Sequence, residues 1–261
     1  MGSRLHDTPD QVLSANLGFG GSNICAHPPD HRPPTGVSFG NVGVGHLAAS
    51  FAVRGRFPRV GLFYLLAAGA LLDVLWACAI ASGLERAHIG TETGSAIPIV
   101  LDSVPYTHSL VAAGVWGALV SALWWLWRRE RSVAVVLGAL VASHWFLDYA
   151  SHVPDLPVLP SGPLLGLGLW RSRAWSLAVE IGMLWIGLAI YARDTTGKDR
   201  IGAVGLVLVV AVLTVLGAGA FFSPAPPSVT PLVIGNFVLL VPLLLIGWVD
   251  VHRIPRRHDR T

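Results

Sequence analysis

The sequence predicts an all-α protein, a polytopic transmembrane bundle of about six to seven membrane helices preceded by a disordered N-terminal tail. Two observations predict it. Of the 261 residues 53% are hydrophobic and only 13% charged, about half the charge usual for a soluble domain. The apolar residues also fall into runs of about 20, the length that crosses a bilayer, and short Arg-rich turns separate several of them.

The elements follow in order. Residues 1–41 are rich in Gly, Pro, Asp, His and Asn without a periodic apolar face, and read as a disordered tail. They lack the basic start and apolar core of a signal peptide, and a start assigned too far upstream accounts for them. Residues 42–53 read as a short, compact helix. Spans follow at 60–84, 109–127, 132–150, 174–192, 201–222 and 231–249. The organisation expected is a tail at 1–41, a metal-site helical core at 42–192, and two further membrane helices with a basic tail at 193–261.

Cation placement orients the bundle. Thirteen of the 18 Lys and Arg residues sit in the turns at 54–59, 128–131 and 193–200 and in the tail at 253–260. The opposite loops hold only Arg86, Arg171 and Arg173. This asymmetry predicts cytoplasmic basic turns and a cytoplasmic C-terminus. With a net charge of +3, the Arg excess reads as membrane topology, and no nucleic-acid partner is expected. The bilayer is the expected partner. Cys25 and Cys78 lack metal spacing, and Cys78 in its apolar run is expected as a small core residue. The Trp124-Trp125-Leu126-Trp127 cluster beside Arg128 reads as an interfacial aromatic belt. The Gly-rich stretch 162–168 follows no strand, so it is no phosphate loop.

Ionisable groups inside apolar spans are costly and mark function. Here they are His46, Asp73, His144, Asp148 and Glu180, with His108 at a helix start. At a helical rise of ~1.5 Å per residue, His144 and Asp148 lie roughly 20–25 Å beyond Arg131, and Asp73 roughly 21 Å beyond the first basic turn. Most of the set therefore falls in the half away from the basic turns; His46, about 12 Å from its turn in a regular helix, is the exception. His144, Asp148 and His152 stand at i, i+4 and i+8, on one helix face. Two imidazoles and a carboxylate there suit a divalent metal such as zinc. Ligands from other helices must complete the sphere, with His46, Asp73 and His108 the obvious donors. Asp155 can orient an imidazole. The chemistry alone leaves a proton relay as an equal alternative. Blander readings make His108 interfacial, Asp73 a helix-packing acceptor and His144–Asp148 an intrahelical pair.

At these residues the chain resembles a known family. Gly45-His46-Leu47, Leu71-Leu72-Asp73, Tyr106-Thr107-His108-Ser109-Leu110 and Ser143-His144-Trp145-Phe146-Leu147-Asp148 stand in the order of the YdjM-like inner-membrane proteins, described as membrane-bound metal-dependent hydrolases. The stretches 152–157 and 166–170 resemble a bacterial subgroup, and the likeness covers roughly residues 42–192. It implies a helical bundle distantly similar to zinc-dependent phospholipase C and P1 nuclease, in a bacterial plasma membrane. It also implies metal ligands at His46, Asp73, His108, His144 and Asp148. The second motif departs from the family, since Asp73 is followed by Val74-Leu75-Trp76 and not by a further Asp. One carboxylate fewer argues against a multi-metal centre unless Asp102, His152, Asp155 or Glu180 substitutes.

The expected function is a membrane-bound hydrolase with a site near the outer face. A metal-activated water would attack a phosphoester or other ester of a lipid or lipid-linked substrate, with Asp148, Asp155 or Glu180 as general base. The alternatives are a transporter or a metal- or proton-handling factor, and a scaffold whose His and Asp groups only staple helices.

Overall fold

The computed structural model describes residues 43–256. The tail expected at 1–41, Cys25 and the last five residues lie outside the described residues. A 3-10 turn at Val44–His46 leads into α1 (Leu47–Val53), together too short to cross a bilayer. Then come α2 (Leu62–Gly69) and α3 (Leu71–Ala81), the strands β1 (Arg86–Ile89) and β2 (Ile99–Ser103), and the hairpin of α4 (Leu110–Arg128) and α5 (Arg131–Ser151). The strands β3 (Leu156–Pro157) and β4 (Leu164–Leu165) precede α6 (Arg173–Asp194). Strand β5 (Thr195–Gly197), a π-turn at Ile201–Gly205, α7 (Leu206–Phe222), α8 (Thr230–Val251) and β6 (Arg253–Pro255) complete the chain.

Five helices are long and apolar enough to cross a membrane: α4, α5, α6, α7 with its π-turn, and α8. They coincide with the apolar runs of the sequence. The span expected at 60–84 is instead two helices, α2 and α3, bent by 51° at Ala70. At the bend the Gly69 carbonyl turns to the His144 ring, the kind of side-chain insertion into a helix ladder that produces a kink. The pair makes a sixth span if counted as one.

The helix surfaces are apolar outward. Val111, Val115, Leu119 and Leu123 form an exposed stripe along α4, and Ile234, Val238, Val241 and Leu245 another along α8. Such stripes at i, i+3 and i+4 spacing suit lipid and not water. For the same reason Cys78, expected in the core, stands exposed on α3: on a lipid-facing surface an apolar residue need not be buried in protein. The helices meet each other through small residues. A Cβ on Gly138 would fall 2.5 Å from the Gly117 carbonyl oxygen, so these glycines let α4 and α5 approach closely.

The two ends differ. At the basic end Asp250 accepts from Arg54 Nε (3.2 Å) and Nη2 (3.0 Å), from the Leu62 N–H (3.0 Å) and from the Tyr191 hydroxyl (2.5 Å). This buried knot ties α1, α2, α6 and α8 together. The Arg128 and Arg129 guanidinium groups lie over the Trp127 and Trp125 rings, the arrangement of an aromatic belt. At the opposite end the sequence suggests only loops, yet residues 86–103 form an antiparallel β1–β2 hairpin. Its Ile99, with Ile97 and Val104, packs on Trp76, Trp170, Phe221, Leu232 and Val233, capping the bundle.

Candidate metal centre

Beneath this cap four histidines converge, each brought by a different local device. His46 ends the 3-10 turn, with Nδ1 2.9 Å from the Gly43 carbonyl. Glu180 on α6 accepts from the Gly45 N–H at 2.8 Å and so anchors that turn. Gly45 sits close under this helix: a Cβ there would fall 2.7 Å from the Glu180 carboxylate, which would have to move. His108 precedes the α4 N-cap, Ser109, whose hydroxyl accepts from the Ala112 N–H. His144 lies on α5 with Nδ1 2.9 Å from the Gly69 carbonyl. His152 caps the end of α5, and its Nδ1 is 3.0 Å from Asp155 Oδ1.

His108 Nδ1 lies 2.9 Å from the Thr107 hydroxyl. That hydroxyl donates to Glu85 Oε2 at 2.5 Å, and Glu85 Oε1 accepts from the N–H groups of Tyr106 and Thr107. With its proton given to Glu85, the Thr107 oxygen is left to accept from His108. All four Nδ1 atoms therefore face acceptors. That fixes the proton on Nδ1 and leaves the Nε2 lone pairs for a common centre.

Asp148 occupies that centre. Its Oδ1 is 3.1 Å from His46 Nε2 and 3.8 Å from His152 Nε2. Its Oδ2 is 3.2 Å from His144 Nε2 and 3.5 Å from His108 Nε2. Asp73 Oδ1 adds a second carboxylate, 3.5 Å from His144 Nε2 and 3.9 Å from His108 Nε2. Tetrahedral ligands at ~2.0–2.2 Å from zinc stand roughly 3.3–3.6 Å apart, so these separations fit a shared cation. His46 Nε2, His144 Nε2 and Asp148 Oδ2 are buried and make no hydrogen bond among the described residues despite their proximity. Buried polar atoms are rarely left so, and a cation satisfies all three. Two overlapping groups can hold a metal ion: His46, His144 and Asp148, and Asp73, His108 and His144.

The structure thus gathers His46, Asp73, His108, His144, Asp148 and His152. It does not gather the rest. Asp155 touches only the far side of His152, and Glu180 supports the His46 turn. Asp102 lies on the outer face of the hairpin, paired with His88. A cavity of about 40 Å³ borders the cluster, and its lining includes Asp73, His108, Asp148 and His152 together with Trp76, Leu101, Trp170 and Asn236.

Two participants escape sequence reading. Glu85 lies outside every span and acts through Thr107, so no spacing betrays it. Asn236 interrupts an otherwise apolar run, and its amide is a signal visible in the sequence.

Fold and site together define a bundle of membrane-length apolar helices, compatible with a multi-pass membrane protein, holding a buried His/Asp cluster that can bind a metal ion. No family model, curated protein or solved structure matches the chain.

Proposed function

We propose that the protein is a membrane-bound, metal-dependent hydrolase of the YdjM-like kind, acting on a phosphoester or other ester of a lipid-like substrate. The observation that carries this reading is the set of four imidazoles, each with Nδ1 held by an acceptor and Nε2 aimed at Asp148. Four neutral imidazoles with two carboxylates suit zinc best among common divalent ions. A cation bound there would supply Lewis acidity, activating water and polarising a phosphoryl or acyl oxygen.

The residues divide the remaining work. Asp148 presents one oxygen to His46 and His152 and the other to His108 and His144, a division that favours two cations over one. Of the substitutes for the carboxylate missing from the second motif, His152 is the one with a ring nitrogen near Asp148, at 3.8 Å. Asp155 and Glu85 orient imidazoles. Asp73 lines the cavity with its side chain 18% exposed, which places it to accept a proton from water. The site lies at the end away from the basic turns. With those turns cytoplasmic, it opens towards the outer leaflet of a bacterial plasma membrane, where a lipid or lipid-linked ester is the accessible substrate.

The test is hydrolysis of phosphoester lipids by the protein in nanodiscs, with zinc loaded and stripped. The reading predicts turnover that needs the metal and is abolished in Asp148→Ala. Metal uptake without turnover across phosphoester and carboxylester lipids would count against hydrolysis and favour a metal-handling role.

A further inference from the structure

At the basic end, opposite the histidine cluster, a second and larger cavity of about 440 Å³ lies between α6 and α7. Leu188 and Leu206 are its buried lining, while Trp185, Ala189, Ala203 and Val207 on the same lining are exposed. It is therefore an apolar groove open along the side of the bundle. Trp185, Leu188, Ala189 and Ala192 share one face of α6 and give the groove a length of roughly 10 Å at ~1.5 Å per residue. Trp185 Nε1 donates to Thr214 Oγ1 at 2.9 Å and joins the two helices at the inner end.

The outer end of the groove is cationic, lined by Arg253 and the exposed Arg256. The Arg253 guanidinium is held in place. Its Nε donates to Thr195 Oγ1 at 3.0 Å, its Nη2 to the Thr195 carbonyl at 3.2 Å and its Nη1 to the Gly202 carbonyl, and it stands over the Tyr191 ring. Those three acceptors carry no charge, and they use three of the five N–H groups of a guanidinium. Acids of the surrounding segments have other partners: Asp194 with Arg193, Asp199 with His252 and Asp250 with Arg54. Among the described residues neither Arg253 nor Arg256 has an ion-pair partner. Two cations without counterions at the mouth of an apolar groove call for an anion attached to a hydrocarbon chain.

We propose that this groove binds an anionic phospholipid of the leaflet at the basic end, with its phosphate on Arg253 and Arg256 and one acyl chain between α6 and α7 as far as Trp185. Basic pockets between membrane helices hold anionic head groups in this way, and the planar guanidinium fork suits phosphate oxygens. The site is separate from the histidine cluster and stands whether or not that cluster hydrolyses anything.

The experiment titrates phosphatidylglycerol and phosphatidylcholine of equal chain length onto the detergent-purified full-length protein and counts bound lipid by native mass spectrometry. Wild type is expected to favour phosphatidylglycerol about 30-fold, the scale of two cations at ~5-fold each. Arg256→Gln is expected to cut that preference about 5-fold, and the double variant Arg253→Gln, Arg256→Gln to erase it. Ala189→Trp, which fills the groove, is expected to weaken both lipids alike. The control pair Arg128→Gln, Arg129→Gln, on another basic turn, is expected to leave the preference unchanged. Equal binding of the two lipids by wild type overturns the proposal even where a variant fails to fold. A preference that survives the double variant, or that falls as far in the control pair, overturns it as well, because the attraction then belongs to the basic end at large. Unchanged binding in Ala189→Trp overturns the placement of the acyl chain and with it the site.

Discussion

A histidine becomes a metal ligand through what holds its second nitrogen, and here four different groups do so: two carbonyls, a hydroxyl and a carboxylate. The i, i+4, i+8 spacing of His144, Asp148 and His152 made one helix face legible in the sequence, because α5 runs to Ser151 and His152 follows at once as its cap. Glu85 was not legible, because its effect passes through Thr107 and two backbone N–H groups. Glu85→Gln is expected to weaken zinc affinity about 10- to 100-fold, the usual scale for groups that orient a ligand, as measured by competition with a chelator. A second prediction concerns His88, on the exposed hairpin. Hydrogen bonds to Asp102 first and Glu92 second hold its imidazolium form and raise its pKa above 6.5. The clasp therefore holds at low pH and is lost as pH rises through the raised value. An NMR titration of His88 should show a midpoint above 6.5 that drops in Asp102→Asn.

Whole elements were read from the length of apolar runs, and five runs are five helices. Two features required the folded partner. The bend at Ala70 goes with a hydrogen bond from α5, not with a proline in the run. The β1–β2 hairpin has strands of only four and five residues and owes its place to the apolar cap beneath it. Close contact between α4 and α5 depends on Gly117 and Gly138, so Gly138→Ala should destabilise the protein by about 1–3 kcal/mol, the usual cost of overpacking, seen as earlier unfolding in detergent. At the basic end, Asp250→Ala strands Arg54 in a buried site. The expected cost is about 3–5 kcal/mol, and the double variant Arg54→Met, Asp250→Leu should recover most of it.

Across the whole molecule, low charge content indicates membrane helices, and the few exceptions mark two separate places. Asp250 and Arg54 secure the basic end. Asp73, Asp148 and the histidines gather under the opposite cap, which includes Leu232 and Asn236 of α8. The last helix thus borders the cavity through Asn236 and closes the basic end through Asp250. On the proposed function, the histidine cluster exists to hold a divalent cation. Elemental analysis of the detergent-purified protein tests it most directly, beside His108→Ala and Asp148→Ala. Wild type is expected to hold one to two equivalents of zinc, in keeping with the two overlapping ligand groups, His108→Ala a reduced content and Asp148→Ala almost none. Wild type free of metal after zinc exposure, or Asp148→Ala with an unchanged content, would contradict it.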